Sequence, residues 1–443
     1  MVISIGIAKE KNLANILNTI GVEHEIFSLS DFANSFKTKS GRQIVKIKLK
    51  GGEEFCSGFL EVFQKRNDII IAEISEEFVS MEKLPLLKKI LPFIEILIIG
   101  KADAEIISGI KINSFESMTK GGERFLEFGV KSALIKNVGP RESSYCDDFF
   151  SGFEKTFRVT TNRVDNAVPD GKSSALATAI AGSLSTGLGI FDSLALARGV
   201  TQNFIRLGKG NSTQSTFGIE PCDFPWISDS TQNEIMLFDF PRLESENREL
   251  YPIVDSFEWV KRLLPFGVKT IQLRIKNLHG AELENEIEKS ILLAKEYDAR
   301  LFINDFWEIA IKHSAYGVHL GMEDLATADI TQIQKAGLRL GLSTHCYFEA
   351  AIAHSFRPSY IALGPIYFTK LKAMDFPPQG IEVLKLWRKL FDYPLVAIGG
   401  ITLEKSEEVL SGNPDFISVV RDITQSDNPE KRVKDWNNAI GKR

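Results

Sequence analysis

Eight short apolar runs recur from residue 235 to the C-terminus, and amphipathic stretches separate them. The runs are IMLFDF (235–240), TIQLR (270–274), LFIN (301–304), GVHL (317–320), LRLGL (338–342), YIALG (360–364), LVAIG (395–399) and FISVV (416–420). Between them lie segments such as AELENEIEKSILLAKEYDA and IEVLKLWRKLF, with apolar residues at helical spacing. Strands alternating with helices form parallel sheets, because parallel neighbours need a long crossover. Eight such units predict an α/β fold of one kind, a closed (β/α)8 TIM barrel.

A barrel of this type builds its active site at the C-terminal ends of its strands. Strand two ends in Gln272, Arg274 and Lys276, and strand three in Asn304 and Asp305. Strand four ends in His319 and leads to Asp324; strand five ends in Ser343, Thr344 and His345. Strand six runs through Gly364-Pro365 to Thr369 and Lys372, strand seven stops at Gly399-Gly400, and strand eight at Val420, Arg421 and Asp422. Two acids suit a hard divalent ion such as Mg²⁺, which keeps waters and shares phosphate oxygens. Arginine and lysine suit a diphosphate, and a glycine turn after strand seven suits a phosphate. Taken singly, each feature has a plainer meaning. An Asn-Asp pair commonly caps a helix, a Gly-Gly pair is usually a turn, and His319 and His345 read as hydrogen-bonded structural histidines. Agreement of phase over seven successive strands favours one site for two phosphorylated substrates, one of them a metal-bound diphosphate.

The full chain has 443 residues, too many for one typical domain. Residues 208–234 are rich in Gly, Ser, Thr, Asn and Pro without periodicity and read as a linker. That reading puts the first domain at 1–215 and the barrel at 233–443, with the boundary near 220–232. A net charge of −5 gives no general attraction to nucleic acid or to an anionic membrane. Cys56, Cys146, Cys222 and Cys346 lack metal-ligand spacing and fit reduced thiols of a cytoplasmic protein. MVISIGIAKEKN lacks a signal-peptide pattern, and no apolar run reaches membrane-spanning length. A homo-oligomer is compatible with this composition.

At the residues of the barrel rim the chain resembles thiamine phosphate synthase. The segments QLRIK, LFINDFWEIAIKHSAYGVHLGMEDL, GLSTH, YIALGPIYFTKLK and VAIGGIT occur in that family's order and spacing. The resemblance implies Mg²⁺ on Asp305 and Asp324. It implies that Arg274, Lys276, Asn304, Ser343 and Lys372 hold the diphosphate of hydroxymethylpyrimidine diphosphate, with Arg274, Lys276, Ser343 and Lys372 as the catalytic set. Gln272 and Thr369 would line the pyrimidine and thiazole pockets. Gly399, Gly400 and the backbone at Val420 and Arg421 would bind the thiazole phosphate. The implied reaction joins the pyrimidine to 4-methyl-5-(2-phosphoethyl)thiazole and releases diphosphate. Two positions depart from the family: Leu371 replaces a second Thr of the T-x-T-K loop, and Arg421 replaces a small residue. The competing readings are a thiazole tautomerase, whose members tend to lack the Arg/Lys pair and the metal-binding Asn-Asp, and a non-catalytic protein that binds thiamine precursors.

The N-terminal half also reads as α/β. DIIIAEI, IEILIIG and SALIKNV are expected strands, and SSALATAIAGSLSTGL and IFDSLALARGVTQNFI expected helices. From about residue 70 to 206 the chain resembles hydroxymethylpyrimidine phosphate kinase of the ribokinase superfamily. Active members carry G-T-G-C or G-x-G-D at the start of the small-residue helix, where glycine amides form an anion hole and the last residue is the base. This chain reads Gly171-Lys172-Ser173-Ser174. A serine is a poor base at its ordinary pKa, so the resemblance implies a degenerate domain with structural, dimerising or sensing use. GKSS is not a P-loop, because Asn166 stands where the first glycine is required.

Overall fold

The computed structural model describes residues 2–5, 24–27, 43–49, 52–74, 78–80, 82–140, 142–164, 172–207, 219–229, 239–245, 247–369 and 376–441. The chain divides into two compact units, Met1–Ile235 and Met236–Arg443. Among the described residues no helix is long and apolar enough to cross a membrane.

In the first unit, β-branched runs build a sheet of nine described strands: β1 (Val2–Ile5), β2 (His24–Phe27), β3 (Ile44–Leu49), β4 (Ile69–Ile74), β5 (Ile96–Gly100), β6 (Ser132–Lys136), β7 (Tyr145–Gly152), β8 (Lys155–Asn162) and β9 (Trp226–Ser228). Their order is β2-β1-β3-β4-β5-β6-β7-β8-β9. The first six are parallel, whereas β7, β8 and β9 add as antiparallel strands. The three expected strands are β4, β5 and β6, and the two expected helices are Lys172–Ser185 and Ile190–Leu207. The expected linker is different in part. Residues 219–229 pack into the first unit, where β9 pairs with β8 and buried Asp223 accepts from Asn203 and Arg206.

Several charged groups are buried in this unit. Buried Lys46 of β3 donates to Ser174 Oγ at 2.5 Å. Arg198 pairs with Asp148 at 3.1 Å, both buried. Burial holds the Lys136 ammonium below its usual pKa against the opposing pull of Glu73, Asp148 and Asp103. Of the Gly171–Ser174 run, Ser174 is described in full; Gly171 and the side chains of Lys172 and Ser173 lie outside the described residues.

The second unit is a closed parallel barrel: β10 (Glu249–Val254), β11 (Thr270–Leu273), β12 (Arg300–Asn304), β13 (Gly317–Leu320), β14 (Arg339–Thr344), β15 (Tyr360–Leu363), β16 (Leu395–Ile398) and β17 (Phe416–Val419). The last seven follow the expected runs. The first does not. Residues 235–238 lie outside the described residues, Asp239 and Phe240 are not in a strand, and β10 begins at Glu249. Its sequence, ELYPIV, hides the strand behind Pro252, a residue that argues against a strand interior. The apolar character near residue 240 serves another purpose. The Phe240 and Leu243 N–H groups donate to the Arg357 and Ser359 carbonyls ahead of β15, and Leu243 packs with Tyr251, Phe302, Tyr360, Ala362, Val396 and Phe416 inside the barrel. This segment closes the N-terminal end of the barrel.

The helices bury one face each. In Gly280–Glu296 the buried positions are Leu283, Ile287, Ser290, Ile291 and Ala294; in Gly380–Leu390 they are Ile381, Leu384, Trp387 and Leu390. Two glycines on the strands make room for the aromatic interior. A Cβ at Gly341 would lie 2.1 Å from the Tyr360 ring, and one at Gly317 would lie 2.5 Å from the Phe302 ring.

Candidate active site

The strand-three end has an unusual backbone. Asp305 adopts φ 64°, in the left-handed region that Asp tolerates better than most residues, and its N–H donates to the His319 carbonyl at 3.0 Å. This turn brings its carboxylate to Lys276, whose Nζ donates to Oδ2 at 2.6 Å. Asp324 arrives from the turn after β13, held by the Gly321 N–H at 3.0 Å. Its carboxyl is within hydrogen-bonding reach of Asp305, and its pKa is raised first by burial and then by the Asp305 charge. Two close, partly buried carboxylates repel unless a cation or a proton lies between them. The donor set is all oxygen, which fits a hard divalent ion completed by water and substrate oxygens.

Below these acids the barrel interior is polar and hydrogen-bonded. Asn304 is buried and pairs in register with His319. His319 Nε2 lies 2.8 Å from Ser343 Oγ, and Nδ1 lies 2.7 Å from Tyr360 Oη. Tyr360 Oη is 2.8 Å from Tyr251 Oη, and the buried Gln272 amide lies beside both tyrosines. Burial, with Arg274 nearby, pushes the His319 pKa down to about 4 against the pull of Asp305, so the ring is neutral. The first half of the rim therefore brings together Gln272, Arg274, Lys276, Asn304, Asp305, Asp324 and Ser343.

The second half is a backbone cradle. Gly399 and Gly400 have φ 99° and 66°. The Gly399 carbonyl accepts from the Tyr367 N–H at 2.9 Å, and a Cβ at Gly400 would meet the Phe368 and Tyr367 carbonyl oxygens at 2.6 and 2.8 Å. The turn thus sits directly against the loop that ends at Thr369. Val420 precedes the short helix Arg421–Thr424, and Arg421 is exposed. Lys372 and Leu371 lie outside the described residues. Gly400→Ala is expected to distort this cradle and lower the melting temperature of the barrel, because positive φ and the two carbonyls both oppose a side chain; calorimetry of the full-length variant checks this.

Other rim residues serve the scaffold. His345 Nδ1 bonds Glu349 at 2.8 Å and its ring stacks on Phe376. Asp422 accepts from Trp436 Nε1 at 2.6 Å, tying the C-terminal helix to β17. A groove of about 970 Å³, lined by Glu244, Arg248, Lys269, Arg300 and Tyr316, is at the opposite, N-terminal end of the barrel strands. Its charges are partly spent on scaffold, since Arg300 pairs with Glu249. The residues missed from sequence are Tyr251 and Tyr360. Gly341 and Gly317, alternating with apolar residues on neighbouring strands, were the available sign that rings fill the interior.

Residues 249–423 match the family model for thiamine monophosphate synthase, and residues 67–221 match that for phosphomethylpyrimidine kinase. A thiamine-phosphate synthase of Photorhabdus laumondii is 53% identical over 191 residues, which cover 85% of that protein and 43% of this chain. The chain belongs to the thiamine-phosphate synthase family. Its synthase barrel is preceded by a kinase-like α/β domain. Among solved structures, a thiamine phosphate pyrophosphorylase from Pyrococcus furiosus is 29% identical, with TM-score 0.40, covering 44% of this chain and 95% of that one. A pyridoxal kinase from Staphylococcus aureus is 15% identical, with TM-score 0.43, covering 51% of this chain and 97% of that one. Membership of the synthase family makes the barrel a transferase.

Proposed function

We propose that the barrel rim joins hydroxymethylpyrimidine diphosphate to 4-methyl-5-(2-phosphoethyl)thiazole, giving thiamine phosphate and diphosphate. The observation that carries this reading is the Lys276–Asp305–Asp324 cluster beside the Arg274 and Ser343 ends of neighbouring strands. Asp305 and Asp324 would hold Mg²⁺, which when bound would supply charge stabilisation for the departing diphosphate. Arg274, Lys276 and Ser343 donate to the same oxygens, as Lys372 does from the loop after β15. Asn304 orients that end of the site. Gln272 and Thr369 bound the two ring pockets, and the amides at Gly399, Gly400, Val420 and Arg421 receive the thiazole phosphate. Bond formation needs no nucleophilic side chain, because the thiazole nitrogen attacks the pyrimidine methylene as diphosphate leaves.

Lys276 pairs with Asp305 in the protein alone. With a cation held by the two carboxylates, the Lys276 ammonium would be placed to contact the diphosphate. Lys276→Ala should therefore raise the KM for the pyrimidine diphosphate by about tenfold or more and leave that for the thiazole phosphate nearly unchanged. Initial rates with each substrate varied in turn test this; a selective rise for the thiazole phosphate would reverse the pocket assignment.

The first domain has lost the kinase reaction. At the position of the base, Ser174 accepts a hydrogen bond from the Lys46 ammonium, an arrangement that opposes proton uptake. Full-length protein given ATP and hydroxymethylpyrimidine phosphate is expected to form no pyrimidine diphosphate above the uncatalysed level, as read by chromatography of the products; ATP-dependent formation would show a working site.

A further inference from the structure

The rim acids and the glycine cradle account for metal and phosphate, yet a buried polar chain lies beneath them. It runs Tyr251–Tyr360–His319–Ser343 at 2.8, 2.7 and 2.8 Å. Three of its members are buried, and Ser343 alone is half-buried, at the mouth. Each residue comes from a different strand, β10, β15, β13 and β14. Gly341 is part of the same device, since its missing Cβ leaves the space the Tyr360 ring occupies.

A neutral imidazole has one N–H and one acceptor nitrogen. The chain can therefore donate in one of two senses. In the inward sense, Ser343 donates to His319 Nε2, and its hydroxyl proton is consumed. In the outward sense, Tyr251 donates to Tyr360, Tyr360 donates to His319 Nδ1, and His319 donates from Nε2 to Ser343 Oγ. Only the second leaves the Ser343 proton for a ligand. An anionic ligand oxygen accepts and cannot donate, so its presence selects the outward sense. Burial keeps both phenols protonated, with pKa values above the ordinary tyrosine value, so each has a proton to pass on. Either phenol of the Tyr251–Tyr360 pair can be the donor, so the geometry permits this direction.

We propose that His319 is a positioning residue: it receives the Tyr360 hydroxyl at Nδ1, donates from Nε2 to Ser343, and so commits the Ser343 hydroxyl to an oxygen of the pyrimidine diphosphate. This rests on Ser343 as a diphosphate contact. Tyr360 fixes the tautomer, Tyr251 fixes Tyr360, and the rim serine faces the ligand already oriented. Hydrogen bonds aligned in one sense in a dry interior also strengthen one another. The neighbouring charges that face the ring are Asp305 and Arg274, of opposite sign.

The test is a double-mutant cycle in the full-length protein, with kcat and both KM values measured for each variant. Ser343→Ala alone should lower kcat/KM for the pyrimidine diphosphate by about tenfold or more. His319→Leu should do the same, and His319→Gln, which restores an N–H near the Nε2 position, should recover part of the loss. In the Ser343→Ala background, His319→Leu should add less than about twofold, because the two act through one contact. Tyr360→Phe removes a single oxygen and keeps the ring that fills the barrel; it should lower kcat/KM about threefold to tenfold in the parent and hardly at all with Ser343→Ala. This variant decides the matter if His319→Leu fails to fold. Independent, multiplying losses for His319 or Tyr360 and Ser343 would overturn the proposal while leaving Ser343 in its role. Full activity of Ser343→Ala would overturn the diphosphate assignment beneath it.

Discussion

Replacing Asp305 or Asp324 with alanine is expected to lower thiamine phosphate formation at least about a hundredfold, with the barrel still folded. Both carboxylates lie beyond strand ends, so their removal opens no core cavity. Their mutual repulsion also makes the folded protein less stable than it could be. The Asp324 pKa in the fold is above its unfolded value, from burial and the Asp305 charge. The fold therefore disfavours the ionised form. The contribution of this group to stability is greatest in acid and declines as pH rises from the ordinary carboxylate pKa through the raised one. At neutral pH, without added divalent cation, Asp324→Asn should melt at a higher temperature than the parent and be inactive. A stability gain bound to a loss of activity is what a metal site under charge strain produces. Parental turnover by either alanine variant at ordinary Mg²⁺ would contradict the metal assignment, and a lower melting temperature for Asp324→Asn would contradict the strain.

Gly341→Ala is expected to have the largest effect on folding. Its Cβ would overlap the Tyr360 ring, with Cζ at 2.1 Å and Cε1 and Oη at 2.3 Å. The ring cannot step aside cheaply. Its hydroxyl is held by Tyr251 and His319, and the ring meets Phe302 and Tyr251 in edge contacts and stacks on His319. Forcing a methyl into so tight an interior costs about 3 kcal/mol or more. In a unit of this size that lowers the melting temperature of the barrel by roughly 6–12 °C. Calorimetry of the full-length variant measures it; an unchanged barrel transition would show that the interior is looser than the distances say.

Seven of the eight barrel strands were legible because apolar runs ending in polar or glycine residues share one phase. The first was not, because Pro252 disguised β10, and the nearby apolar residues Phe240 and Leu243 close the barrel floor instead of pairing. The β7–β8 hairpin was missed for a similar reason. Its turn places Phe153 and Glu154 at φ 51° and 62°, where Asn-Gly or Asp-Gly is the usual signal. Residues 219–229 looked like a linker by composition, yet Asp223 and Trp226 are fixed by partners far away in sequence, Arg206 and Tyr145. The rim acids could be read from their place after strands. The Tyr251–Tyr360–His319 chain could not, since Tyr251 and Tyr360 lie 109 residues apart and meet only when the barrel closes.

The most direct measurement is the reaction itself. Full-length protein is mixed with Mg²⁺, hydroxymethylpyrimidine diphosphate and 4-methyl-5-(2-phosphoethyl)thiazole, and thiamine phosphate and diphosphate are followed together. The account predicts equal amounts of the two products, none when either substrate is omitted, and loss of turnover on chelation of the metal. Absence of thiamine phosphate from folded protein with both substrates and Mg²⁺ present would contradict it.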